Sequence, residues 1–148
     1  MVTVSKKREE KLAKLVREFF AVHPDVKLVA ITGSAGKASA KIAIGTVLAQ
    51  QFDIQLRNEE PKTKADVFLQ MMGVKMPEKG LFKWWKVMRA VKKRIKAEKP
   101  EVQVIVQEFN PKELGYNDWF KAYVVPDITV VTSVTNGRMQ VEYSLEEV

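Results

Sequence analysis

Apolar residues recur along this chain in two rhythms. Leu12, Leu15, Val16, Phe19 and Phe20 follow the i, i+3, i+4, i+7, i+8 pattern of one helix face. Ser5 stands ahead of them as a candidate cap, with Arg8, Glu9 and Glu10 in the opening turns. His23-Pro24-Asp25 closes this helix, because proline disfavours helical backbone in the residue before it; His23 itself reads as structural. Val26 to Thr32 is different: a short apolar run with β-branched residues, which reads as a buried strand of the kind found in parallel sheets.

The alternation continues. Gly33 to Gly36 breaks the strand, and Lys37 to Gln51 resumes a helical pattern through Ile42, Ile44, Val47 and Leu48. Phe52 to Leu56 predicts a second strand, Arg57 to Lys64 a polar loop, and Ala65 to Met72 a brief helix. Met76-Pro77-Glu78-Lys79-Gly80 is turn-rich and leads into a long basic helix over Leu81 to Lys99. On that helix Phe82, Trp85, Met88 and Ile95 share a face, with Trp84, Val87 and Val91 widening it. Glu101 to Phe109 predicts a third strand. Asn110-Pro111 opens a loop, and Trp119, Phe120 and Tyr123 suggest a helix behind it. Asp127 to Val134 predicts a fourth strand, Asn136-Gly137 a turn, and Met139 to Tyr143 a short strand or the lead into a last helix. Strands alternating with helices predict an α/β fold, a mostly parallel sheet flanked by helices. Residues 1–25 form an N-terminal helix ahead of a body over 26–148, within one domain overall.

Composition narrows the function classes. With 148 residues, 46% hydrophobic and 29% charged, the chain has an ordinary globular make-up and is long enough for a core. The absence of cysteine and the single histidine exclude disulfides and argue against a thiolate or histidine metal cluster. No apolar run is long enough for a transmembrane span, and Met1 to Glu10 lacks the apolar stretch of a signal peptide. The expected location is cytoplasmic. The net charge of +7 favours anionic partners without choosing among nucleotides, nucleic acid and membrane surface. Much of it falls in Lys6 to Arg17 and Lys83 to Lys99, which also fit two solvated helix faces. Trp84 and Trp85 among those cations permit stacking on nucleic acid. An amphipathic helix packed on the sheet, basic face outward, explains them better, because no nucleic-acid motif accompanies them, so no specific nucleic acid is expected.

The chemistry concentrates in Thr32-Gly33-Ser34-Ala35-Gly36-Lys37-Ala38-Ser39. A phosphate loop aims consecutive backbone N–H groups at an anion, and its glycines allow the dihedrals this requires. The following helix adds its positive end, and the lysine adds a mobile charge near the outer phosphates. The common loop spaces its first glycine four residues from the Gly-Lys pair; here only Ser34 and Ala35 intervene. Taken alone, the pattern also fits a plain strand-to-helix turn with a solvated Lys37.

The segment Val29 to Lys37 resembles the ATP loop of the Mur ligases, which build the peptide of bacterial cell-wall precursors, and is most similar to the branch that adds the terminal dipeptide. Three more segments keep the order. Val104-Ile105-Val106-Gln107-Glu108-Phe109 resembles the strand ending in Glu-Met-Gly, whose magnesium-binding glutamate maps to Glu108. Pro126-Asp127-Ile128-Thr129-Val130-Val131-Thr132-Ser133-Val134 resembles the family's Pro-Asp-Ile-x-Val-Val-Thr-Asn-Ile strand, and Ser144 to Val148 the stretch that follows it. The resemblance covers the chain from about Lys27 onward and corresponds to the first part of the family's central domain. It implies a P-loop NTPase-like fold with Thr32, Gly33, Ser34, Ala35, Gly36, Lys37, Ala38 and Ser39 around ATP, Glu108 near Mg2+, and an ancestral ATP-dependent ligation of an acid to an amino acid in peptidoglycan precursor synthesis.

Several positions depart from the family pattern. Its threonine or serine after the lysine is Ala38, and Ser39 sits about 100° round the helix from that position. Its Asn-Asn-Glu falls at Lys62-Thr63-Lys64, its Gly-Val-Pro-Leu at Asp66-Val67-Phe68-Leu69, the glycine of Glu-Met-Gly at Asn110, and its histidine at Arg138. The leading expectation is therefore a nucleotide-binding Mur-ligase-like domain with reduced or no ligase activity alone. Its alternatives are a non-catalytic interaction or regulatory module that keeps the fold, and a basic nucleic-acid binder. An incomplete sheet edge predicts a second chain, either a partner completing the domain or a homodimer.

Overall fold

The computed structural model describes residues 4–77, 81–109 and 124–134. The elements run α1 (Lys6–Val22), β1 (Lys27–Thr32), α2 (Lys37–Leu48), β2 (Ile54–Leu56), α3 (Lys64–Met71), α4 (Leu81–Ile95), β3 (Val104–Glu108) and β4 (Ile128–Val131). The α/β alternation is as the hydrophobic pattern predicts, with the second to fourth strands and the basic helix each shorter than their apolar or charged runs. The Phe82 side chain, the expected helix around Trp119, Phe120 and Tyr123, Asn110, the Asn136-Gly137 turn, Arg138 and everything after it lie outside the described residues.

The four strands form one sheet, ordered β2-β3-β1-β4, with every pairing parallel. Parallel neighbours require crossovers long enough to return the chain to the same end, and helices supply them. Alternation along β1 splits the core in two. Leu28 and Ala30 point to the face that carries α3, with α1 and α4 packed beside it, where Leu12, Val16, Phe19, Phe68, Leu69 and Val91 are buried. Val29 and Ile31 point the other way with Val104 and Val106, against Ala40, Ile44 and Leu48 of α2.

The ends of the elements are fixed locally. Ser5 precedes α1 in extended conformation, but its side chain makes no cap bond; its carbonyl oxygen accepts from the N–H groups of Arg8 and Glu9. His23 caps the other end of α1, and its Nε2 lies 3.3 and 3.2 Å from the carbonyl oxygens of Arg94 and Ile95 at the end of α4. The Asp127 carboxylate accepts from the N–H of Leu28 at 2.8 Å and pairs with Lys27 at 3.4 Å, which aligns the starts of β1 and β4. Thr63 caps α3, accepting from the N–H of Asp66 at 3.2 Å, while Asp66 accepts from the N–H of Lys62 at 3.1 Å. Thr63→Ala should therefore lower stability by about 1 kcal/mol, read as a lower urea midpoint at unchanged slope.

Two helices present faces other than the pattern suggests. On α4, Trp84, Val87, Val91 and Ile95 are buried, while Trp85 is 56% exposed. On α2, Ile42 and Val47 face outward and the buried residues are Lys41 and Gly45. A Cβ on Gly45 would strike the side chain of Leu56, so this glycine is what lets α2 lie close against the sheet. β4 is, among the described residues, an edge strand, with Ile128 and Val131 exposed. Among the described residues no helix is long and apolar enough to cross a membrane.

Candidate functional site

Ligands of open α/β sheets bind beyond the carboxyl ends of the strands. Three segments far apart in sequence meet there: the turn after β1, Glu108 at the end of β3, and Thr132-Ser133 after β4. The register places Ile31 beside both Glu108 and Val130.

The turn depends on its glycines. Gly33 has φ +129° and Gly36 φ +81°, conformations that side-chain-bearing residues rarely adopt. A Cβ on Gly33 would run into the Thr132 side chain and come within 2.9 Å of the backbone of Ser133. A Cβ on Gly36 would meet only Thr132, at an ordinary contact distance of 3.8 Å, and Gly36 serves as the N-cap of α2. The first helical bond runs from the N–H of Ala40 to the carbonyl oxygen of Gly36 at 3.0 Å. The N–H groups of Lys37, Ala38 and Ser39 therefore precede the helical ladder and form the positive end of α2. Lys37 folds back over the turn, and its ammonium donates to the Gly33 carbonyl oxygen at 3.0 Å.

The segment after β4 holds the other side of the turn. The N–H of Ser34 donates to the carbonyl oxygen of Ser133 at 2.8 Å, and the N–H of Ala35 donates to the Ser133 hydroxyl oxygen at 3.0 Å. The Thr132 hydroxyl donates to the Ala35 carbonyl oxygen at 2.5 Å, and the Thr132 N–H donates to the Thr32 carbonyl oxygen at 2.9 Å. Two of the loop's own N–H groups are thus engaged by Ser133, in the segment after β4. Thr32 is buried, and its hydroxyl oxygen has no hydrogen-bond partner among the described residues.

Behind the turn lies a buried ion pair. The ammonium of Lys41 sits 3.0 Å from the Glu108 carboxylate, with the two side chains 3% and 4% exposed. Lys41 is one helical turn beyond Lys37, so both lysines extend from one face of α2. The sequence pattern had no role for Lys41: it shares the sheet-facing side of α2 with Ile44 and Leu48, and a lysine on an apolar face carries no signal of the carboxylate that meets it. Nor did it foresee Thr132 and Ser133 as the turn's tether, although two consecutive hydroxyl residues at a strand end were a signal.

The magnesium implied by the Mur ligase resemblance does not fit these residues. Ala38 has no oxygen to offer, Ser39 is exposed one position further on, and the Glu108 carboxylate is turned to Lys41. Among the described residues no group of three or more histidine, cysteine or acidic side chains is gathered as metal ligands would be. What the fold and site define is an α/β protein with a glycine-dependent turn and a lysine at a helix N-terminus, on the carboxyl edge of a parallel sheet. Compared with known proteins, the chain matches no family model, no curated protein and no solved structure.

Proposed function

We propose that this chain is a P-loop-type, Mur-ligase-like domain that holds the phosphate groups of a nucleotide, ATP foremost, over Gly33 to Ser39, and does so without a divalent metal. One observation carries this reading: two positive-φ glycines lead straight into the free N–H groups of α2, with the Lys37 ammonium already above the turn. An anion there gains the positive end of α2 and the Lys37 charge. Lys37 exchanges its bond to the Gly33 carbonyl for one to a phosphate oxygen, and bonds between charged groups are the stronger kind. Lys41 keeps Glu108 neutralised, so the carboxylate does not repel the ligand. Ligation of an acid to an amino acid is the ancestral chemistry the resemblance implies; this chain supplies its phosphate-holding part.

The test is a thermal melt with ATP, in EDTA and in magnesium, on the wild type and Lys37→Ala. Ligand at a hundredfold over its Kd stabilises by about 2.7 kcal/mol, a shift of roughly 5–10 °C for a domain of this size. The expected result is an equal shift in EDTA and in magnesium, lost in Lys37→Ala. A shift in magnesium alone sinks the metal-free part. A shift that survives Lys37→Ala moves the nucleotide elsewhere, and no shift at millimolar ATP rejects the reading.

A second reading has its own support. The bonds from Ser34 and Ala35 to Ser133 hold two loop donors away from any ligand, which suits a non-catalytic module that keeps the fold as an interaction or regulatory surface. That reading predicts the flat melt.

A further inference from the structure

The charge of this protein is sharply segregated. Helices α1 and α4 together carry twelve basic and three acidic side chains, a surplus larger than the +7 of the whole chain. The rest of the chain is therefore slightly acidic. The two helices pack side by side, and between them runs a groove of about 440 Å³. Its lining is Arg8 and Lys11 from α1, and Trp84, Trp85, Met88, Arg89 and Lys92 from α4. Among the described residues no carboxylate lines it, and none of these residues belongs to the glycine turn.

Cations and aromatic rings are paired in this groove. The Arg8 guanidinium lies 5.1 Å from the centre of the Trp84 ring, and that of Arg89 5.4 Å from the Trp85 ring. These stacked contacts keep the guanidinium groups beside the rings. Trp84 is only 7% exposed and forms part of the floor; Trp85 is 56% exposed and presents its indole at the side. A ligand that fits must offer several anionic groups and a flat apolar surface between them.

We propose that the α1–α4 groove binds single-stranded nucleic acid, with phosphates on Arg8, Lys11, Arg89 and Lys92 and a base stacked at Trp85. Three observations favour this occupant. Base stacking on aromatics within a basic channel is how single strands are held without sequence preference, and this groove interleaves both components. A duplex fits worse, because its bases are already stacked on one another. An anionic bilayer also fits worse: a helix that enters a membrane surface inserts its apolar face, and on α4 that face, Trp84, Val87, Val91 and Ile95, is buried in the core. The binding does not depend on the nucleotide reading of the glycine turn.

Fluorescence anisotropy with a labelled twelve-residue oligothymidylate tests the proposal on the full chain. Four neutralised phosphates give a salt slope of about −3 for a single strand, so affinity should fall roughly fiftyfold between 50 and 200 mM salt. Trp85→Ala should weaken binding about tenfold or more at fixed salt. Because Trp85 is exposed, this variant should melt with the wild type, which the same sample verifies. The corresponding duplex should bind at least tenfold more weakly. Absence of binding at 50 mM salt overturns the proposal. So does an unchanged affinity in Trp85→Ala, which would leave only unspecific charge attraction. Vesicles containing phosphatidylglycerol that bind in a Trp85-dependent way, while the oligonucleotide does not, would assign the groove to a membrane surface instead.

Discussion

Replacing Lys41 by methionine should lower the melting temperature of this protein by roughly 10–15 °C. The Lys41 and Glu108 side chains are almost completely buried, 3.0 Å apart. Two charges removed from water are tolerable only because each offsets the other, so removing one partner strands the other. Breaking a buried pair in this way costs about 3–5 kcal/mol, and for about 150 residues each kcal/mol moves the midpoint by about 3 °C. The double substitution Lys41→Met with Glu108→Leu should recover most of the loss, because an apolar pair of similar volume needs no desolvation. A single substitution costing under about 1 kcal/mol would mean the pair behaves as a solvent-exposed one. The same variants bear on the metal. If Mg2+ raises the melting temperature of Lys41→Met but not of the wild type, the ammonium is what keeps a cation from Glu108. Stabilisation of the wild type by Mg2+ alone would contradict the poor fit of metal to this site.

Gly33→Ala is the second large effect. Its φ of +129° lies where residues with a Cβ are strained, at about 1–3 kcal/mol. The new methyl group would also drive into Thr132 and Ser133, and such overpacking costs about 1–3 kcal/mol more. Relief requires the segment after β4 to move, which breaks the bonds from Ser34 and Ala35 to Ser133. Gly36→Ala is the control: it too has positive φ, but the nearest atom to its Cβ, on Thr132, is 3.8 Å away. Its cost should be only the left-handed penalty of about 1–2 kcal/mol. Urea unfolding of the two variants separates the terms. Equal losses would show that the contact with Thr132 and Ser133 yields freely, and that β4 does not hold the turn.

Much of this architecture is legible in the sequence, for identifiable reasons. A buried parallel strand must be apolar on both faces, and Leu28 to Ile31 meet that demand, so the run from Val26 to Thr32 announces β1. Pro24 stops α1 through a local steric clash. Glycines at 33 and 36 mark a turn because only glycine adopts those dihedrals cheaply. Each of these is a constraint within a few residues, and short-range constraints are written in the order of the chain.

Other features came from distance. Periodicity marked Ile42, Ile44, Val47 and Leu48 as the apolar positions of α2; Ile44 and Leu48 pack on the sheet, yet Ile42 and Val47 face outward, while Lys41 and Gly45 are buried. The helix is oriented by Glu108, far along the chain, and by the closeness to Leu56 that Gly45 permits, and neither is a property of α2. Pattern alone put Trp85 on one face with Phe82, Met88 and Ile95, widened by Trp84, Val87 and Val91; packing buried Trp84, Val87, Val91 and Ile95 and left Trp85 in a basic groove. The turn itself was readable, but its tether to Thr132 and Ser133 joins residues about a hundred positions apart. The sequence by itself determined the elements and the glycine turn, because sterics and burial act on neighbours. Only the tertiary structure decided which charges are buried together, which tryptophan meets solvent and what holds the turn, because those energies depend on which segments the sheet brings side by side.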